Sequence, residues 1–169
     1  DIDLDERPSH EIAEAVASGA ADLGIAATWA GLSHLEQKPF FIDRLVVITA
    51  RNWPGLSGLH AVSLADILSE SFVGLSLGHA LQEHITRQAA RLGGHLHIRI
   101  RVPGLDNVCR LVAQGAGIAI VPESAARRSA RTLRSLRLTD DWATRQLNLC
   151  ARSFDELTPQ AKLLAASLG

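Results

Sequence analysis

Hydrophobic and polar positions along the 169 residues follow two periods. Short apolar runs and period-2 alternation predict strands, and apolar residues three and four apart predict helices. Ile2 to Glu6 reads as a strand. After Pro8, Ser9 caps a helix through Ser18, with Glu11 in its first turn, Ile12 and Val16 on its apolar face, and Gly19 as its stop. Asp22 to Thr28 is a continuous apolar run, the pattern of a strand covered on both faces. Leu35 to Ala50 is a long extended stretch centred on LVVIT, and Asn52, Pro54, Gly55 and Gly58 form a loop behind it. Ser63 caps a short helix, and Phe72 to Leu75 is a brief strand. In the helix His79 to Leu92, apolar Leu81, Ile85, Ala89 and Leu92 recur at helical spacing. Leu96 to Val102 alternates as a half-buried strand, and Leu105 to Gln114 is helical. Gly115 and Gly117 turn the chain into the strand IAIV, which Pro122 ends. Arg145 to Arg152 alternates once more, and Thr158 caps a final helix to Leu168.

That order predicts an α/β fold of two Rossmann-like lobes joined by crossing strands, each lobe with a parallel sheet. Residues 1–45 with 148–169 would form the first lobe and 46–147 the second, with a cleft between them. In open α/β sheets, ligands bind beyond the carboxyl ends of strands, where helix N-termini present free N–H groups. The residues that follow each strand are therefore the candidates for binding. They are Ser9 and His10, Thr28 and Trp29, Thr49, then Ser76, Gly78 and His79, and finally Pro103 with Gly104. Each hydroxyl alone is explained by helix capping. Their shared position on one sheet edge predicts a pocket for a small anion or polar acid.

Composition narrows the function classes. A formal net charge of −1 excludes a strongly basic nucleic-acid-binding surface over the chain as a whole. Cys109 and Cys150 sit in apolar surroundings and read as buried free thiols. No apolar run reaches a membrane span and no signal peptide opens the chain, so a soluble, cytoplasmic protein is expected. The absence of methionine and the abrupt opening on a strand suggest part of a longer protein; the family resemblance described below implies that its first lobe is N-terminally incomplete.

Three sharper chemistries compete with a binding pocket. Gly74-Leu75-Ser76-Leu77-Gly78 matches the nucleophile elbow of serine hydrolases and lies between a strand and a helix. That fold orders its triad as serine, acid, histidine. After Ser76 come only His79, His84, His95 and His97, with Glu83 the sole carboxylate before His97, which makes a poor triad. His95 and His97 share one strand face, but no cysteine or carboxylate cluster completes a zinc site. Arg127, Arg128, Arg131, Arg134 and Arg137 form a basic run that reads as a solvated face or a subunit interface. Neither a metal nor a cofactor is expected.

Several stretches together resemble the effector-binding domain of LysR-type transcriptional regulators. SHEIAEAVASGAADLGIA resembles the capped helix that leads through Gly-x-x-Asp-Leu-Gly-Ile into a strand, and DRLVVIT resembles the first crossing strand. LADILSESFVGLSLG resembles the start of the second lobe, and LDNVCRLVAQGAGIAIVPESAA resembles the helix, Gly-x-Gly-Ile turn, strand and proline that mark the family. The resemblance implies a fold like that of type 2 periplasmic binding proteins and a small effector held between the lobes. It also implies a homodimer or homotetramer that meets DNA only through an N-terminal helix-turn-helix absent from this chain. The family's effector positions fall on Ser9 and His10, Thr28, Thr49, Ser76 to His79, and Pro103 with Gly104. Pro103 departs from the family pattern, where a polar side chain is common. A solute-binding protein of a transport system is the alternative on the same fold.

Overall fold

A computed structural model describes residues 2–5, 7, 9–27 and 32–168. In chain order the elements are α1 (Ser9–Ser18), β1 (Gly24–Ala27), β2 (Glu36–Ala50), β3 (Ala61–Val62), α2 (Leu64–Ile67), β4 (Ser71–Leu75), α3 (Ala80–Arg91), β5 (His97–Val102) and α4 (Leu105–Ala113). There follow β6 (Ala119–Pro122), α5 (Glu123–Arg128), β7 (Leu133–Leu138), β8 (Thr144–Ala151) and α6 (Pro159–Leu168). The chain divides into two compact units, Asp1–Ile42 with Arg145–Gly169, and Asp43–Thr144.

In the first unit, β8 lies between β1 and the first half of β2. It runs antiparallel to β1, with Gly24 opposite Cys150 and Ala27 opposite Leu147. Side chains alternate across a strand, so Cys150 and Leu149 point to opposite faces of this sheet. Cys150 joins Ala13 and Val16 of α1, together with Ala26, Leu32 and Leu35, in a small core. A polar chain braces the same unit. Asn148 Nδ2 donates to Gln37 Oε1 at 2.9 Å, and Gln37 Nε2 donates to the Leu32 carbonyl at 2.9 Å. Thr158 acts as the expected cap, its hydroxyl accepting from the Ala161 N–H at 3.2 Å.

The expected opening strand is not formed. Ile2 to Asp5 are exposed and carry no ladder bonds, with Leu4 at 92% exposure. Alternation alone does not make a strand, because the backbone groups need a partner ladder and none of the described strands supplies one.

In the second unit, Val46 to Ala50 are buried at the middle of a sheet. β6 pairs antiparallel on one side, with Val47 opposite Ile120, and β7 pairs antiparallel on the other, with Val47 opposite Leu136. The expectation of purely parallel sheets is thus corrected. The long crossing strand β2 runs against β6 and β7, whereas β3–β7 and β4–β5 are parallel. β4 and β6 come together through reciprocal bonds, Val73 N–H to Ile118 O and Ile118 N–H to Ser71 O, both at 2.8 Å. Ile48, Ile67, Ile118 and Leu136 are fully buried in one core with Phe72. Each such side chain contributes about 2 kcal/mol through removal of apolar area from water. Ser63 caps α2 in a reciprocal box with Asp66, whose carboxyl the Ser63 hydroxyl and N–H hold below its ordinary value.

The basic run is spent mostly on local structure. Arg127 pairs with Glu123 at 3.1 Å, Arg128 with Asp106 at 3.4 Å, and Arg134 donates to the carbonyls of Leu56 and Leu59. Both cysteines are free and buried. Burial pushes both thiols above the ordinary 9.0, with the Asp106 charge adding to the effect at Cys109. A raised value favours the neutral thiol in the folded state, so its contribution to stability is complete at neutral pH and is lost as pH climbs past 9.0. Neither thiol should react with Ellman's reagent at pH ~8 in the folded chain, and both should react once urea unfolds it. Rapid labelling of either without unfolding would contradict their burial.

Candidate effector site

The second unit builds its candidate site from two parallel strand ends. Leu75, the last residue of β4, lies opposite Val102, the last of β5. The loops that follow are consequently neighbours, and Ser76 N–H donates to Val102 O at 3.2 Å. The loop that carries Ser76, Gly78 and His79 and the one that carries Pro103 and Gly104 therefore leave adjacent strand ends.

Two helices begin from these loops. His79 caps α3, its Nδ1 accepting from the Leu81 N–H at 3.2 Å. Gly104 precedes α4 at φ +77°, which favours glycine, and among the described residues no side chain caps that helix. The first N–H groups of α4 therefore lack a side-chain acceptor and carry the partial positive charge of a helix N-terminus. Pro103 offers no N–H, yet its carbonyl is used, accepting from Asn107 Nδ2 at 2.9 Å.

Two residues that strand-end reasoning missed hold the peptide of Leu75. Buried Gln82 accepts from the Leu75 N–H through Oε1 at 2.9 Å, and Arg101 Nη1 donates to the Leu75 carbonyl at 3.2 Å. Gln82 sits seven residues beyond Leu75 on α3, and only the packing of that helix on β4 reveals the link. Gly74 lets it approach, because a Cβ there would fall 2.7 Å from Gln82 Oε1. The first glycine of the elbow-like motif is thus explained by packing. His84 lies buried on α3 with its ring edge-on to Trp142, 5.4 Å between centroids. Gln82→Leu should leave the Leu75 N–H buried without an acceptor and cost about 2 kcal/mol, read as a lower urea midpoint. An unchanged midpoint would show that water replaces the amide freely.

In the first unit, half-buried Ser9 opens α1, and its Oγ accepts from the N–H of Ala27, the last residue of β1, at 3.4 Å. His10 is exposed beside Glu11, 4.0 Å from its carboxylate. Thr28, Trp29 and Pro8 lie outside the described residues. Thr49 does not present its hydroxyl as a binding group. It is fully enclosed within β2, flanked by β6 and β7, and donates to the Ala50 carbonyl at 3.0 Å. Among the described residues, no group of three or more histidine, cysteine or acidic side chains could hold a metal ion. None of the described helices is long and apolar enough to cross a membrane.

The profile of the LysR substrate binding domain matches residues 1–169. Solved structures with the same fold include the effector-binding domain of QuiR in complex with shikimate, at 22% identity and TM-score 0.74, covering 92% of this chain and 74% of that one. The regulatory domain of CcmR from Synechocystis PCC6803, in complex with 2-PG, has 19% identity and TM-score 0.80, covering 95% of this chain and 78% of that one. An OxyR mutant from Corynebacterium glutamicum has 23% identity and TM-score 0.71, covering 87% of this chain and 47% of that one. The chain thus spans about half the length of that regulator. No curated protein sequence matches closely enough to count as a relative. With the fold of type 2 periplasmic binding proteins and a family match over its whole length, the chain belongs to the LysR substrate-binding-domain family.

Proposed function

We propose that the chain is the sensing domain of a LysR-type transcription regulator and that it binds a small carboxylate or similar anion. The observation that carries the reading is the meeting of two parallel strand ends in the second unit. There the Ser76 loop, the uncapped start of α4 and the Arg101 guanidinium lie together. Oriented N–H groups and a hydroxyl hold an anion without a full counter-charge buried against it. Thr49 would act as a core residue supporting β2.

In this reading the ligand changes regulation through its differential affinity for two arrangements of the protein, and no covalent step is involved. DNA contact belongs to a separate helix-turn-helix, and the sensing chain works as a homodimer or homotetramer. The shikimate bound by QuiR and the 2-PG bound by CcmR indicate the size of ligand to try first. The family match favours a regulator over a transport-type solute-binding protein.

A thermal-shift screen of small carboxylates tests the proposal, because a ligand bound only by the folded state raises Tm. Ser76→Ala should weaken the best compound about tenfold by removing one hydrogen bond to a charged group. If no carboxylate raises Tm, or if Ser76→Ala binds the best compound as the unaltered chain does, the site is misplaced.

A further inference from the structure

The loop between β4 and α3 carries an imidazole whose proton is placed by its hydrogen bonding. His79 Nδ1 accepts from the Leu81 N–H at 3.2 Å. A backbone N–H only donates, so Nδ1 bears a lone pair there, and the neutral ring carries its proton on Nε2. Protonating Nδ1 removes the acceptor and breaks the bond. It also sets a positive charge at the positive end of the α3 dipole. The same residue is tied to the candidate site, because its N–H donates to the Ser76 carbonyl at 3.3 Å and closes the turn Ser76–His79. Whatever moves His79 therefore acts on the Ser76 loop.

His79 is the one titratable residue in that turn. On α3, Glu83 lies one turn further and pairs with Arg87 at 3.9 Å, while His84 faces Trp142. On β5, Arg101 donates to the Leu75 carbonyl at 3.2 Å. Arg99 is exposed on the same strand, and His97 stands at its other end, opposite Ser71. On α4, Asp106 pairs with Arg128 at 3.4 Å. Carboxylates and guanidinium groups keep their charges through the range in which an imidazole titrates. Within the turn, only His79 changes charge there.

We propose that His79 is a proton-operated gate on the effector site. Neutral, it occupies the Leu81 N–H; protonated, it releases that donor to an anion and adds a cation beside it. The inference rests on the reading of this loop as an anion site. The neutral imidazole competes with the ligand for a first-turn donor of α3, whereas among the described residues no side chain caps α4. Anion binding is thereby coupled to proton uptake. Affinity rises as pH falls through the ordinary imidazole range, about 6.5.

Nuclear magnetic resonance of the isotope-labelled full chain tests the gate, with sulfate as the probe because its charge is constant from about pH 7.5 to about pH 5.5. Without sulfate, the Leu81 amide proton should titrate together with the His79 ring nitrogens. Sulfate should bind about tenfold more tightly at the lower pH than at the higher, read from saturable shifts at Ser76 and Leu81. His79→Asn supplies a cap that does not titrate and should abolish this pH dependence. His97→Asn, at the far end of β5, should retain it. The proposal is overturned if the Leu81 amide does not follow the ring, if sulfate binds equally at both pH values, or if His79→Asn keeps the full dependence. A Leu81 amide that titrates while sulfate shifts nothing at either pH overturns instead the anion reading of the loop, and the coupling with it.

Discussion

Phe72→Ala should lower the stability of the chain by about 4 kcal/mol. Phe72 is 3% exposed, in the strand that carries the Ser76 loop, and it packs in the main core of the second unit. It already borders a void of about 10 Å³, so truncation enlarges a gap that its neighbours have not closed. The cost combines lost transfer of the ring with the cavity left behind, and close packing limits relaxation. Urea unfolding gives the value directly, through a lower midpoint at constant slope. A loss under about 1 kcal/mol would mean that the core collapses readily into the space, contrary to the packing described. Because β4 positions Ser76, effector affinity should fall in parallel under conditions where the variant remains folded.

Gly117→Ala should cost about 3 kcal/mol for the opposite reason, too much matter instead of too little. A Cβ at Gly117 would lie 2.5 Å from the Ser71 carbonyl oxygen and 3.2 Å from its carbon. These are backbone atoms of β4, fixed by the Ile118 N–H to Ser71 O bond, and no rotamer change can clear them. The neighbouring Gly115 offers a control. Its φ of +81° favours glycine, but a Cβ there meets nothing within 4 Å. Gly115→Ala should therefore cost only about 1 kcal/mol. Equal losses at the two glycines, measured by the same urea titration, would remove the close-approach explanation. Phe72 and Gly117 act on one junction of β4 with β6, so the double variant should lose less than the two single losses added together.

How far the sequence carries depends on whether a signal is local. α3 and α4 were legible because their apolar residues repeat at helical spacing and glycines stop them. The Gly-x-Gly turn into β6 was legible from the same segment, and with it the family. β7 was not. Leu133, Leu136 and Leu138 are its buried residues, and their spacing of three and then two breaks the period of a strand. The arginines between them read as a charged face, yet Arg134 turns its guanidinium back onto the carbonyls of Leu56 and Leu59. The sense of strand pairing was equally hidden, because Val47 finds Ile120 on one side and Leu136 on the other only once the chain is folded.

The candidate site divides along the same line. Ser76, Gly78, His79, Pro103 and Gly104 follow strands, and a rule about strand ends suffices to gather them. Gln82 and Arg101 needed the register of β4 against β5 and the rotation of α3. Thr49 shows the reverse failure, since a hydroxyl near the end of an apolar run looks like a surface group. Its side chain is fully enclosed, at the point where β2 pairs Thr49 with Arg134 of β7.

The first unit is assembled from two segments that the whole second unit separates along the chain. Gly24 meets Cys150, whose thiol bonds to its carbonyl from 126 positions along the chain. A ribosome making this protein releases β1 before the second unit and must add every residue of that unit before the strand that completes the ladder emerges. The uninterrupted second unit is free to fold during synthesis, whereas the first waits with an unpaired edge until β8 has been made. Slow closure of so long a loop exposes the nascent chain to mispairing. Stalling before β8 leaves the ribosome would strand β1 without its partner, in the state most open to chaperones and proteases.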